Sequence, residues 1–154
     1  MRSGSYLSQL RLLRPIRVLV VSRDKRFVSV FRFLLDREHL AVRAIHRQRE
    51  LLSRVELGVD VVVFDATQSL ADAANAIAVL EALHPEVGVV VVSERCDRTG
   101  HLLDPLPKWG PPQRLLEEIE CTYLRLHRRE RVANAGVYRP RPASPDSDPV
   151  ETTS

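Results

Sequence analysis

Asp65 carries the most chemical promise in this chain of 154 residues. It closes the apolar run Val61-Val62-Val63-Phe64, which reads as a strand buried on both faces of a parallel sheet. A carboxylate at the C-terminal end of such a strand stands where open α/β sheets place their functional groups. It could serve as a nucleophile or help to hold a metal, and a metal needs further hard oxygen ligands nearby. Lys108 is the second notable residue, because Lys25 and Lys108 are the two lysines in a chain whose cations are otherwise arginine. Cys96 and Cys121 have neither metal-ligand nor redox spacing, and His39, His46, His84, His101 and His127 show no ligand pattern. The histidines are expected to be solvated.

The elements that must position these groups can be outlined from pattern. Ile16–Val21 is β-branched and apolar and reads as the first strand. Asp24 can cap a helix over about Lys25–Glu38, with Phe27, Val28, Phe31, Leu34 and Leu35 at helical spacing. Ala41–Ile45 is a second strand, Arg49–Leu57 a second helix ended by Gly58, and Asp60–Phe64 a third strand. Leu70–Leu83 is an Ala-rich helix with Ile77, Leu80 and Leu83 on one face, stopping before Pro85, and Val87–Val92 is a fourth strand. Leu102–Leu106 reads as a short fifth strand, which Pro105 confines to an edge. Pro111-Pro112 opens a last helix to about Val132.

The alternation predicts an α/β fold, a doubly wound five-stranded parallel sheet of flavodoxin-like size with strand order 2-1-3-4-5. Residues 1–14 are read as an N-terminal arm, 15–132 as the domain, and 133–154, rich in Pro, Ser, Asp and Thr, as a disordered tail. Apolar residues make up 44%, enough for a core. The net charge of +3 and pI near 9.2 do not point to a nucleic-acid binder. No run approaches a membrane span, and the expected compartment is the cytoplasm. The basic end of the last helix, Arg125 to Arg131, is read as favourable charge at a helix C-terminus.

The segments Val20-Val21, Asp60–Asp65, Val92-Ser93 and Leu106-Pro107-Lys108, in this order at successive strand ends, resemble a response-regulator receiver (CheY-like) domain over about Ile16–Leu126. The resemblance implies that Asp65 occupies the phosphoacceptor position, and that Ser93 and Lys108 occupy the positions that contact the phosphoryl group and switch the fold. The departures are equally specific. Ser22 and Arg23 stand where the family has an acidic pair that binds Mg²⁺. Asp24 lies one position on and is expected to turn to the helix cap. Ala66-Thr67-Gln68-Ser69 replaces the usual Met-Pro after the acceptor, and Pro105 replaces the aromatic switch residue. The stretch from Ser93 to Lys108 is shorter than in the family, so the family's fourth helix is expected to be shortened or absent.

An Arg in a magnesium seat repels the metal. Arg23 and Lys108 are instead expected to flank Asp65, and cations within about 4–6 Å lower a carboxylate's pKa by roughly 1–3 units. The expectation is an atypical, stand-alone receiver-like regulatory protein, with no catalytic residue, metal or cofactor. It would act by protein–protein contact in bacterial signal transduction or transcriptional regulation. One alternative is a single-domain response regulator phosphorylated on Asp65 by a histidine kinase, the only reading that brings in Mg²⁺. Another is a small-ligand module sharing the fold alone, although Ser22–Arg26 contains no glycine for a phosphate loop. The expected partner is a protein, either a histidine kinase or a regulator, or a second copy. The expected surface is the strand-five and last-helix side around Trp109, Arg114, Tyr123 and Arg125. Trp109 reads equally as an interface anchor or as cover for the sheet end.

Overall fold

The three inner strands alternate their apolar side chains between two cores, and this makes the valine runs continuous. The computed structural model describes residues 14–36, 38, 40–95 and 104–135. In chain order it contains β1 (Arg17–Val21), α1 (Lys25–Asp36), β2 (Ala41–Ile45), a 3-10 turn (Gln48–Glu50) and α2 (Leu51–Glu56). It continues with β3 (Val61–Asp65), α3 (Leu70–Leu83), β4 (Gly88–Ser93), β5 (Leu106–Pro107) and α4 (Pro112–Ala135). The five strands form one parallel sheet in the order β2-β1-β3-β4-β5, as the alternation predicts.

Val18, Val20, Val61, Val63, Val90 and Val92 pack beneath α1 and α4, with Phe27, Phe31, Leu35, Leu116 and Ile119. Leu19, Val21, Val62, Phe64 and Val91 face α2 and α3, with Leu51, Val55, Ala73, Ile77 and Leu80. A sheet covered on both faces has no polar side to show, so alternation disappears from the sequence. By parity Asp65 falls on the α1/α4 side with Val61 and Val63.

Several boundaries differ from the sequence reading, for local reasons. α1 follows Asp24, whose Oδ1 accepts from the N–H groups of Arg26 and Phe27 (3.0 and 3.1 Å), and it stops at Asp36. On α3 the inner face is Ala73, Ile77 and Leu80, while Leu83 is 59% exposed. β5 comprises two residues, 106–107, after Pro105, and pairs through Val92↔Leu106 and Ser93↔Pro107. The proposed strand residues 102 and 103 lie outside the described residues. α4 continues past Val132 to Ala135, because no Gly or Pro interrupts it before Gly136. Among the described residues there are four α-helices and none between β4 and β5. Residues 96–103, on which the shortened fourth helix falls, lie outside the described residues, as do residues 1–13 of the expected arm and 136–154 of the expected tail, while 133–135 belong to α4.

Two features fix the end of the sheet remote from Asp65. Gly58 ends α2 at φ 101°, the left-handed conformation that glycine tolerates. The Asp60 carboxylate accepts from the Arg17 N–H at 2.9 Å and from the Arg17 and Arg14 guanidinium groups. Burial pushes the Asp60 carboxyl up, but these bonds outweigh burial and hold it below the ordinary range. No helix among the described residues is long and apolar enough to cross a membrane.

Candidate functional site

The parallel register brings the ends of β1, β3, β4 and β5 together, with Val21 opposite Phe64, Asp65 opposite Val92 and Ser93 opposite Pro107. The loops after these ends enclose a cleft of about 370 Å³, lined in part by Ser22, Arg23, Asp24, His46, Asp65 and Lys108. At its floor the Asp65 side chain is 6% exposed and that of Lys108 is 3% exposed.

Both Asp65 oxygens are engaged. Oδ2 accepts from the Ser22 hydroxyl at 2.6 Å and lies 3.0 Å from Lys108 Nζ. Oδ1 accepts from the Thr67 N–H at 3.1 Å and the Thr67 hydroxyl at 2.5 Å. Thr67 Oγ1 in turn accepts from the Glu94 N–H at 3.3 Å. Burial pushes the Asp65 carboxyl up, while the bonds from Ser22, Thr67 and Lys108 pull it down and prevail. The group stays ionised.

Lys108 bridges two carboxylates. Its ammonium lies 2.9 Å from Asp24 Oδ2 and 3.0 Å from Asp65 Oδ2, with Glu94 Oε1 further away at 3.7 Å. Burial alone would lower the lysine pKa, but Asp24 and Asp65 raise it above its ordinary value. The Asp24 carboxyl is lowered first by its bond to Lys108 and then by the helix cap. Two aromatic rings shield the ammonium, Phe27 at 5.3 Å and Trp109 at 5.5 Å from their centroids. The Trp109 indole N–H donates to Glu94 Oε1 at 3.0 Å, and its ring meets Phe27 edge-on at 5.7 Å.

The sequence reading places Asp65 and Lys108 in contact, and they are. It does not anticipate the double use of Asp24, which caps α1 with one oxygen and binds Lys108 with the other. Ser22 accepts from the Asp24 N–H and donates to Asp65, so it organises the pair. Arg23 departs from expectation: its side chain is exposed at the rim, and among the described residues no ion pair joins it to Asp65. Adjacent residues on the loop point apart, and Ser22 takes the inward direction. The hydroxyls bonded to Asp65 are those of Ser22 and Thr67; the Ser93 Oγ accepts from the Arg95 N–H, and its carbonyl from the Lys108 N–H. His46 Nδ1 lies 3.0 Å from the Ser22 carbonyl and His84 Nδ1 lies 3.1 Å from Glu86, so neither is simply solvated. His39, His101 and Cys96 lie outside the described residues.

Among the interface candidates, Trp109 is 50% exposed and also roofs the site. Arg114 and Arg125 are exposed on α4, with Arg125 Nη2 3.7 Å from Glu118. Tyr123 turns inward against the core, and its ring meets that of His127 at a tilt, 4.1 Å between centroids. It stands nine positions from Arg114, about half a turn away around the helix.

The residues present do not fit Mg²⁺. The ion needs several oxygen ligands in near-octahedral array. Here Asp24 and Asp65 already share an ammonium ion, and Ser22 gives Asp65 a hydrogen-bond donor in place of a second carboxylate. Among the described residues no group of three or more His, Cys, Asp or Glu could hold a metal ion.

No protein-family model and no curated protein matches the chain by sequence. Solved structures match by shape. A response regulator from Thermotoga maritima superposes with TM-score 0.63 at 20% identity, over 72% of this chain and 98% of its own. The signal receiver domain of an HD domain-containing protein from Pseudomonas fluorescens gives 0.66 at 17% identity, over 77% and 93%. NtrX from Brucella abortus, solved with ADP, gives 0.65 at 17% identity, over 79% of this chain and 29% of its own. The chain therefore has the receiver fold, the CheY-like form of the flavodoxin-like sheet.

Proposed function

We propose that this chain is an atypical receiver-like regulatory protein. It acts through protein–protein contact in bacterial signal transduction or transcriptional regulation, without Mg²⁺-dependent phosphotransfer and without a reaction of its own. The observation that carries the proposal is the saturation of Asp65. An attacking carboxylate needs a free oxygen and a cation to neutralise the incoming phosphoryl group. The Asp65 oxygens are occupied by Ser22, Thr67 and Lys108. The ammonium that would clamp a phosphoryl group is already shared between Asp24 and Asp65.

A site locked in this way favours one conformation. Such a pair contributes specificity more than net stability. The working surface is then the β5–α4 side, where Trp109 and Arg114 stand exposed. Its partner is a protein of the signalling machinery, a histidine kinase or a regulator, or a second copy, met in the cytoplasm. A role as phosphoacceptor under a histidine kinase is the rival outcome.

Trp109 is the sole tryptophan and roofs Lys108, so its emission reports on the site. Titration with Mg²⁺ is expected to leave it unchanged. Restoring an acidic pair with Ser22→Asp and Arg23→Asp is expected to produce a saturable change. A saturable Mg²⁺ response in the unaltered chain would overturn the proposal. Sedimentation of wild type and Trp109→Ala tests self-association, and identical monomers would remove the second copy as partner.

A further inference from the structure

Arg23 follows β1, and Arg47 and Arg49 follow β2; all three are exposed. With His46 and Gln48 they line one open recess of about 630 Å³. Among the described residues no Asp or Glu lines this recess, and none of the three guanidinium groups makes an ion pair. Backbone holds the cluster in place. The Ser22 N–H donates to the Ile45 carbonyl at 3.1 Å, and His46 Nδ1 lies 3.0 Å from the Ser22 carbonyl. The loops after β1 and β2 are therefore stapled on both sides of Ser22, so Arg23 and Arg47 start from adjoining anchors. The Glu50 N–H closes a turn on the Arg47 carbonyl at 3.0 Å, and Gln48 Nε2 donates to the Asp72 carbonyl at 3.2 Å. Like charges repel, so a fixed frame that gathers three of them around a hollow is complementary to an anion.

We infer that this recess binds the phosphate of a small phosphate ester, whose polar body lies in the adjoining cleft above Asp65. Guanidinium forks match phosphate oxygens in bidentate fashion. The recess shares Arg23, His46 and Gln48 with the cleft. That cleft stands at the β1/β3 switch point of the sheet, where open α/β folds take ligands. Beside the arginines it offers the polar side chains of Gln48, Gln68 and Ser69. Phe64 is the one Phe, Tyr or Trp among the described residues lining it, and Phe64 is buried, so no ring there can stack on a base. A hydroxyl-bearing body fits this lining better than a nucleotide does. The concave shape also favours a small molecule over a nucleic-acid duplex, which reads an extended basic face.

The inference goes beyond the proposed function and does not depend on it, because the phosphate binds without a covalent step and Asp65 is not its seat. Calorimetric titration of the full chain at low ionic strength tests it, with inorganic phosphate and glycerol 3-phosphate as probes. Both should bind saturably at one site, the ester more tightly. Arg23→Ala, and Arg47→Ala combined with Arg49→Ala, should each weaken binding by about tenfold or more. Arg125→Ala, on α4, should leave it unchanged. Arg23→Lys keeps the charge and loses the fork, so it should weaken binding in part, and it preserves the test if a truncation to Ala fails to fold. Heats that never saturate would overturn the inference. Equal weakening by Arg125→Ala would do the same, since it would mean diffuse attraction to a basic chain. A short DNA duplex that binds more tightly than either probe, through these same arginines, would assign the face to nucleic acid instead.

Discussion

Lys108 Nζ lies 3.0 Å from Asp65 Oδ2, on the same oxygen that takes the Ser22 hydroxyl. The ion pair is closed over by Phe27 and Trp109. Removing one partner of a buried pair leaves the other charge without compensation. Lys108→Met is therefore expected to lower unfolding free energy by about 3 kcal/mol in urea melts. Combining it with Asp65→Asn should cost less than the sum of the single changes by about 1 kcal/mol or more. Additive losses would mean that the two groups do not share one network.

The pH dependence follows from the directions of the shifts. Asp65 titrates lower in the folded chain than unfolded. Its contribution is complete above the unfolded value of about 4 and is lost as pH falls through the lower folded value. Lys108 titrates higher in the folded chain, so its contribution is complete below about 10.4 and is lost as pH rises through the folded value. Stability should be level across neutral pH and fall at both extremes. Asp65→Asn should flatten the acid limb in part, because Asp60 is also depressed and remains. Acid limbs of equal slope in the two proteins would contradict the shift.

Ser22 is expected to matter more than a strand-end hydroxyl usually does. It donates to Asp65 at 2.6 Å and accepts from the Asp24 N–H at 3.1 Å. Ser22→Ala should lose about 1.5 kcal/mol, the scale of a hydrogen bond to a charged group. The loss is measured by thermal or urea unfolding, and a change within about 0.5 kcal/mol would place Ser22 with ordinary surface positions.

Gly88 fixes the approach of α4 to the sheet. A Cβ there would meet Thr122 Cγ2 at 2.5 Å and Leu126 Cδ1 at 3.1 Å. Gly88→Ala should lose about 1–3 kcal/mol through overpacking. Thr122→Ala in the same chain should recover part of the loss. No recovery would locate the cost elsewhere.

The sheet was legible because a doubly covered strand leaves an unmistakable run, as Val61–Phe64 and Val89–Val92 do. α3 is legible from its Ala-rich run with Ile77 and Leu80 at helical spacing and from Pro85 after it, and α1 from Asp24 at its cap. The position of Lys108 against Asp65 could be anticipated from order along the chain. The side-chain directions could not. Ser22 and Arg23 are neighbours in sequence, and only the loop geometry shows that Ser22 turns in and Arg23 out. Thr67 was hidden because a hydroxyl two residues after an Asp is a common turn feature, and its bond back to Asp65 depends on the local backbone. The sequence gives Asp24 to the cap alone, because a carboxylate's two oxygens cannot be apportioned from sequence. Tyr123 belongs with Arg114 and Arg125 to one helix, and the helical turn sets it against the core instead of beside them.

The central claim is that Asp65 is a locked structural carboxylate rather than a phosphoacceptor. Intact-mass measurement after incubation with Mg²⁺ and a small-molecule phosphodonor tests it most directly. The account predicts an unchanged mass for wild type and for Asp65→Asn alike. A gain of one phosphoryl group in wild type that vanishes in Asp65→Asn would contradict it.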